Sequence, residues 1–298
     1  MTQPVQLLGS YWTLAVGADP VSDQRCLHDF RRRVEIAAKA GFTALGVWHT
    51  DLVEIRKTYS LQDMKRILDD HGITQIEVEW LLDWFHVGER RAASDKTREL
   101  LLDAAEVFGA HHIKIGDLGN DYADVPRMTE EFAVLCKQAA DRGTNVLFEL
   151  LPSVFSRAPS LDQVLAICKG SGARNGGIML DNLHLQRTGT PHEDIVRKIG
   201  QDMPLGVEIN DGALATPVNL EDSVVNKRLL PGDGEFNITS FLHAVWTQGY
   251  DGPIGVEVLN EYIRKWSLET AATEAFAKAT RVVKSARESW EAARTARR

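Results

Sequence analysis

The stretch GTNVLFE, residues 143–149, contains the pattern that decides the fold. It follows an amphipathic segment, Met128–Arg142, that predicts a helix. Glycine directly after the last helical turn can adopt the left-handed conformation, which ends the helix and returns the chain to a sheet. The apolar run Val146–Phe148 shows little polar alternation, as is typical of a strand buried on both faces. The stretch therefore predicts a helix, a glycine and a buried parallel strand in succession.

The same order of helix, glycine and strand recurs along the chain, at Gly41, Gly72, Gly109 and Gly249. We predict strands at Val5–Gly9, Ala44–Trp48, Thr74–Glu79, His112–Gly116, Asn145–Leu150, Gly177–Asp181, Leu205–Ile209 and Ile254–Val258. The helix-like segments are Leu27–Ala40, Leu61–His71, Asp95–Phe108, Met128–Arg142, Leu161–Cys168, His192–Ile199, Ile238–Gln248 and a last one from Leu268 to about Ala293.

Eight strand–helix alternations in 298 residues predict an α/β protein, a single (β/α)8 TIM barrel. The rival is a doubly wound dinucleotide-binding sheet, which needs a GxGxxG turn after its first strand. Residues 8–12, LGSYW, cannot supply that turn. Since no segment resembles an interdomain linker, we expect one domain over residues 1–298, with a C-terminal helical extension from about residue 268 to 298. The longest irregular stretch, Asp211–Asn237, follows the seventh strand, where long loops are usually functional.

Composition and charge exclude several classes of protein. The three cysteines have no CxxC spacing, which argues against a disulfide scaffold or a zinc ribbon. The formal charge of −8 argues against nucleic-acid binding, which needs a basic face. We find no apolar run of about 18 residues and no secretory signal in MTQPVQLLGS, residues 1–10. We therefore expect a soluble cytoplasmic protein without nucleic-acid or membrane partners.

An acidic residue lies at the end of each of four consecutive predicted strands: Glu149, Asp181, Glu208 and Glu257. Strand ends at the carboxyl-terminal face of a barrel line its active site, so we expect these side chains to converge. Converging buried carboxylates need a compensating charge, and oxygen ligands favour Mg²⁺, Mn²⁺ or Co²⁺. The alternative is that each carboxylate is paired with a lysine or arginine nearby.

Further residues are candidates for contact with a substrate. His184 follows Asp181 by three residues, which suits it to bind a substrate hydroxyl or carbonyl. Lys114 on the fourth strand and Trp48 on the second could also face the pocket, although Trp48 could equally be a core residue. Glu77 and Glu79 point to one face of the third strand, and either could line the mouth.

Several motifs together resemble the xylose-isomerase-like barrel superfamily, the sugar phosphate isomerase/epimerase group. They are Phe148-Glu149, the run LDNLH at 180–184, EIND at 208–211, RLLPGDGE at 228–235 and GYDGPIGVE at 249–257. The resemblance covers essentially the whole chain. It implies one divalent cation, expected to be Mn²⁺ with Mg²⁺ or Co²⁺ as alternatives, held by Glu149, Asp181, Glu208 and Glu257. The third ligand is usually histidine or glutamine in that family, and here it is Glu208.

The resemblance also implies roles and a reaction. His184 would contact the substrate, and Arg228 would reach one of its carboxylate or hydroxyl groups. Glu149 and Glu257 would exchange a proton on opposite faces of a keto sugar or polyol, which gives an isomerase or epimerase acting through an enediolate. The same carbanion in a lyase would lose a β-hydroxyl, as in inosose or dehydroshikimate dehydratases, or expel an aglycone, as in deglycosidases of oxidised C-glycosides.

A third reading is a metal-free barrel that binds a ligand or serves as a partner subunit. A phosphorylated substrate is not favoured, since a glycine-rich phosphate loop is missing, although Gly232-Asp233-Gly234 could bend amides toward an anion. The acidic balance favours a neutral or carboxylated small molecule. Barrels of this group are often homo-oligomers, and we expect the same here.

Overall fold

The eight strands close into a parallel barrel in the order of the sequence. The computed structural model describes residues 5–118 and 125–296. Each strand pairs in parallel with the next, and the first with the eighth, which confirms the predicted (β/α)8 barrel. The strands are β1 Leu7–Gly9, β2 Ala44–Trp48, β3 Gln75–Leu81, β4 His112–Ile115, β5 Asn145–Glu149, β6 Gly176–Asp181, β7 Leu205–Ile209 and β8 Ile254–Val256.

Helices surround the barrel. In the described ranges they are α1 Tyr11–Leu14, α2 Phe30–Ala40, α3 His49–Ile55, α4 Leu61–Asp70, α5 Gly88–Phe108, α6 Val125–Asp141, α7 Leu161–Gly170, α8 Asn182–Thr188, α9 Glu193–Lys198, α10 Leu220–Asn226, α11 Ile238–Thr247 and α12 Leu268–Ala296. The last helix packs against α2 and α11, and its buried residues include Ala275 and Ala279. None of the helices in the described ranges is both long and apolar enough to cross a bilayer.

Local sequence signals end and begin these helices as expected. The glycines predicted to end α2, α5 and α6, Gly41, Gly109 and Gly143, all have positive φ. Ser60 and Asp63 form a capping box at the start of α4. Short helices that follow directly on β1, β2 and β6 are too short to show a helical period, so the sequence analysis missed them. It also placed the start of α5 too late, because the first two turns of α5 are largely charged and exposed.

The pairing register of neighbouring strands places several of the predicted site residues side by side at the strand ends. Trp48 is paired with Glu79, and Glu79 with Lys114, across β2, β3 and β4. Asp181 lies opposite Glu208 in the β6–β7 pair. Glu257 directly follows β8 rather than lying within it, and its amide donates to the carbonyl of Ile209. These side chains therefore face the interior near the carboxyl-terminal rim.

Candidate active site

Four carboxylates from consecutive strand ends meet inside the barrel. One carboxylate oxygen from each of Glu149, Asp181, Glu208 and Glu257 lies within 4.8 Å of the others, and all four residues are buried. One possible ligand atom from each of Glu149, Asp181 and His184 also lies within 4.8 Å of the other two. The sequence predicted this convergence. The role of these residues as ligands stays a prediction.

A buried lysine lies beneath the carboxylates. The Nζ atom of Lys114 is 2.9 Å from Glu208 Oε1, 3.0 Å from Glu257 Oε1 and 2.8 Å from Glu79 Oε2. The side chain of Lys114 is 1% exposed. The hydroxyl of Ser10 also donates to Glu208 Oε1, at 2.8 Å. The carboxylate of Glu208 therefore accepts hydrogen bonds from an ammonium and a hydroxyl.

A buried arginine bridges two other carboxylates. Arg228 Nη1 is 2.7 Å from both Asp181 Oδ2 and Glu257 Oε2. Its Nε donates to the carbonyl of Val224, which fixes the plane of the guanidinium. The alternative weighed from the sequence, pairing with lysine or arginine, thus applies to Asp181 and Glu257, and to Glu208 through Lys114.

The ion pairs leave negative charge uncompensated. Four carboxylates against one ammonium and one guanidinium leave two negative charges, which one divalent cation would balance. Burial and the charge of Glu257 raise the pKa of Glu208 well above its usual value. A bound cation would displace that proton, because metal ligands must be deprotonated. The all-oxygen donor set and its residual charge therefore fit a hard divalent cation.

Neighbouring charges set the protonation of two other glutamates. Burial opposes ionisation of Glu257, but Lys114 and Arg228 outweigh it and lower its pKa to about 2. Burial raises the pKa of Glu79 to about 8, against the opposing effect of Lys114. Near neutral pH, Glu257 is thus ionised and Glu79 carries a proton.

His184 lies at the start of α8, next to Glu149. Its Nε2 is 3.3 Å from Glu149 Oε1, and the buried Nδ1 has no hydrogen-bond partner among the described residues. Asp181 caps this helix by accepting from the amide of Leu183 at 2.7 Å, which orients the turn that carries His184. His184 therefore has one ring nitrogen left for another group.

Aromatic side chains form the wall above the carboxylates. A cavity of about 220 Å³ has Glu149, His184 and Glu257 at its base. Its upper wall includes Trp12, Trp48, Trp80 and Phe155. Trp48 is in edge contact with Trp12, at 4.8 Å between ring centroids, and is 5.7 Å from Trp80. Trp48 is therefore both well packed and part of the pocket wall.

Three of these aromatic residues, Trp12, Trp80 and Phe155, were missed by the sequence analysis. Trp80 reaches the cavity because the register of β3 against β4 shifts between Glu79 and Leu81, which alternation along a regular strand does not predict. Trp12 belongs to α1, a helix of one turn. The two glutamates predicted on β3 lie at different cavities. Glu79 lines the active-site cavity. Glu77 lines a separate cavity of about 420 Å³, and its carboxylate is 2.9 Å from Nε2 of His112.

The glycine-rich loop after β7 is folded around an aspartate. Asp211 accepts hydrogen bonds from the amides of Gly232 and Phe236, each at 2.9 Å. An antiparallel bridge between Asp211 and Leu229 places the preceding Arg228 at the site. Of the loop amides that could have faced an anion, that of Gly232 thus binds a carboxylate of the chain itself, and that of Asp233 donates to the carbonyl of Leu230.

Comparison with known proteins identifies a family model and several relatives that this chain resembles. The sequence profile of the xylose isomerase-like TIM barrel matches residues 34–286. A 3-dehydroshikimate dehydratase from Pseudomonas aeruginosa is 25% identical over 236 residues, 78% of this chain and 36% of the dehydratase. The chain thus spans about a third of the length of the dehydratases it matches. A 2-oxo-tetronate isomerase from Cupriavidus necator is 28% identical over 252 residues, 77% of this chain and 87% of the isomerase.

Solved structures share the fold. The crystal structure of the IOLI protein with a zinc atom bound superposes with a TM-score of 0.80 at 16% identity, and covers 94% of this chain and 99% of that one. Sugar 3-epimerases are also among the structures of similar fold. At this level of identity these structures show a common architecture.

Proposed function

The chain belongs to the xylose isomerase-like TIM barrel family, and from this premise we propose that it is a divalent-metal-dependent isomerase or epimerase of a small keto sugar or polyol. The observation that carries the proposal is the meeting of Glu149, Asp181, Glu208 and Glu257 at the base of an aromatic cavity. The relatives that act as isomerase and dehydratase support an enzyme of this type.

We propose these four carboxylates as the ligands of one cation, with Mn²⁺ expected and Mg²⁺ or Co²⁺ as alternatives. The zinc atom bound in the IOLI structure supports a divalent ion in a protein of this fold. When bound, such an ion polarises a carbonyl group and acidifies the adjacent C–H bond. Arg228 and Lys114 would keep the carboxylates in place by pairing with them from outside and below.

Two carboxylates would carry out the proton transfer. Lys114 and Arg228 keep Glu257 ionised, so it would accept the proton from the substrate carbon. Glu149, next to His184, would pass a proton from solvent to the substrate on the other side of the cavity, and Glu257 would release its proton to solvent before the next turnover. His184 would orient the substrate through its unpartnered nitrogen, while Trp48 would contact the apolar face of the sugar.

A lyase is the second candidate, and the match to 3-dehydroshikimate dehydratases favours it. It uses the same first step, removal of a proton beside a carbonyl, followed by loss of a β-hydroxyl. Turnover in deuterated water separates the two reactions. An isomerase or epimerase incorporates deuterium into the product sugar, whereas elimination gives an unsaturated product that absorbs in the ultraviolet.

Elemental analysis of the purified protein, with and without a chelator, tests the proposal directly. We expect about one Mn, Mg or Co ion per chain, lost on chelation together with turnover of keto sugars. A protein that holds no divalent ion and ignores added Mn²⁺ would instead support a ligand-binding or partner subunit. A homo-oligomer in the cytoplasm remains part of the proposal, to be tested by light scattering and cell fractionation.

A further inference from the structure

A cavity separate from the active site opens at the amino-terminal end of the barrel. It has a volume of about 420 Å³ and lies where β3, β4 and β7 begin. We call it the amino-terminal cavity. The described part of its lining contains two carboxylates, Glu77 and Asp251, and two histidines, His111 and His112, but no lysine or arginine. These side chains favour a cation over an anion.

The two histidines turn their rings toward each other. His111 directly precedes β4 and His112 is its first residue. Their Nδ1 atoms are 3.1 Å apart, with the ring planes at 83°. The backbone of His111 is fixed, because its carbonyl accepts hydrogen bonds from both the amide and the side chain of Asn145. Consecutive strand residues point to opposite faces, so the strand pattern alone does not account for this contact.

A buried carboxylate orients one of the two rings. His112 Nε2 is 2.9 Å from Glu77 Oε2, and the two residues are 6% and 1% exposed. Because a carboxylate accepts, Nε2 carries the proton, and a neutral His112 then presents the lone pair of Nδ1 to His111. Histidines that bind metals commonly donate their other ring N–H to a carboxylate in this way.

The distance between the two nitrogens suits a shared metal ion. Two nitrogens that each lie about 2.1 Å from one zinc ion are about 3.0 Å apart at a right angle and about 3.4 Å apart at a tetrahedral angle. The observed 3.1 Å falls between these values. The alternative is a proton in the same place, with His111 Nδ1–H donating to His112.

The pair is open to solvent on one side. His111 is exposed, whereas His112 is buried, so an ion could reach the pair from the amino-terminal cavity. Among the described residues, no third histidine, cysteine or carboxylate lies close enough to join the two rings. Water would therefore fill the remaining coordination positions.

We propose that His111 and His112 form a second metal site, for Zn²⁺ or another late transition-metal ion, at the amino-terminal face of the barrel. Imidazole nitrogens suit zinc, copper and nickel, whereas the four carboxylates at the other face suit harder ions such as Mg²⁺ and Mn²⁺. The two sites therefore differ in both place and preference. The proposal is independent of the proposed function, since it uses none of the residues assigned to the reaction.

The test counts the ions bound by the full chain. Isothermal titration calorimetry with Zn²⁺ is carried out on the wild-type chain, on His111→Ala and on His28→Ala. His28 lies between α1 and α2, outside the lining of the amino-terminal cavity, and is the matched control. We expect His111→Ala to bind one Zn²⁺ fewer per chain than wild type, and His28→Ala to bind the same number. This difference does not depend on whether the carboxylate cluster also takes up zinc.

Cu²⁺ is a second probe, because its electron paramagnetic resonance spectrum reports bound nitrogen. The wild-type chain should show coupling to two ring nitrogens, and His111→Ala should lose it. If His111→Ala does not fold, modification of the wild-type chain by diethyl pyrocarbonate replaces the variant. Zn²⁺ should then slow the modification of His111, read by peptide mass spectrometry, and leave that of His28 unchanged.

Each outcome bears on one proposal at a time. Equal Zn²⁺ binding by wild type and His111→Ala overturns the inference, makes the contact a simple hydrogen bond and leaves the proposed function standing. An equal loss in His28→Ala, or equal slowing of modification at both histidines, would indicate nonspecific binding and overturn it also. One ion in wild type and none in His111→Ala supports the inference and counts against zinc binding by the carboxylate cluster.

Discussion

Replacement of Lys114 by methionine tests the central charge arrangement of the site. Methionine keeps the length of the side chain but removes the ammonium that lies between Glu79, Glu208 and Glu257. Removing one partner of a buried ion pair costs about 3–5 kcal/mol, since it leaves the other charge buried and unpaired. We therefore expect Lys114→Met to lower the free energy of unfolding by about 3–5 kcal/mol when a chelator removes divalent ions.

A bound cation should reverse part of this loss. A ligand present at about 100 times its Kd stabilises the folded state by about 2.7 kcal/mol. Without the ammonium, the carboxylates attract Mn²⁺ more strongly, so Mn²⁺ should stabilise Lys114→Met more than the wild-type chain. Urea unfolding followed by circular dichroism, in chelator and in Mn²⁺, measures both effects.

Controls make the measurement specific. Lys57→Met removes a solvent-exposed pair with Glu54, which should change stability by no more than about 1 kcal/mol. The double variant Lys114→Met/Glu257→Gln removes the ammonium together with an ionised carboxylate that it contacts, and should regain part of the loss. If Lys114→Met does not fold in chelator, the stability of the double variant is compared with that of the wild-type chain instead. A single variant as stable as wild type in chelator, within about 1 kcal/mol, would show that Lys114 is not the counter-charge of this cluster.

Three further predictions follow from the same geometry. Glu149→Gln should abolish turnover while the fold is retained; unchanged activity, measured by product analysis, would disprove its role in proton transfer. His184→Ala should raise KM and keep the metal content, and loss of the ion in elemental analysis would instead make His184 a ligand and put Glu208 in doubt. For Glu79, folding raises the pKa from 4.5 to about 8, so its contribution to stability is complete below pH 4.5 and is lost as the pH rises through 8. Glu79→Gln mimics the protonated form and should flatten that dependence; urea unfolding in chelator from pH 5 to 9 would contradict this if both chains lose stability equally.

The strand ends could be predicted from the sequence because buried strands with a terminal acid are unusual. An apolar run that ends in Glu149 or Glu208 has few explanations other than a shared counter-charge, and parallel topology brings such ends together. The glycines after helices were equally informative, since Gly41 and Gly143 adopt the left-handed conformation that only glycine takes readily.

The partners within the site could not be predicted in the same way. Lys114 and Glu208 are 94 residues apart, on strands that face each other across the barrel, so their contact depends on closure and register. The sequence marked Lys114 only as a residue that could face the pocket. The position of Trp80 depends on a shift in the β3–β4 register, and a single sequence carries no signal for a shift of that kind.

The ion pairs of Lys114 have a consequence for how the barrel assembles. The half from β1 to β4 contributes Lys114 with Glu77 and Glu79, whereas the half from β5 to β8 contributes Arg228 with the four clustered carboxylates. Separated from its counterpart, the second half would have three carboxylates in excess of its one arginine at this point. Closing the ring therefore brings the ammonium of the first half to Glu208 and Glu257 of the second half, so this pairing forms only when both halves are in place.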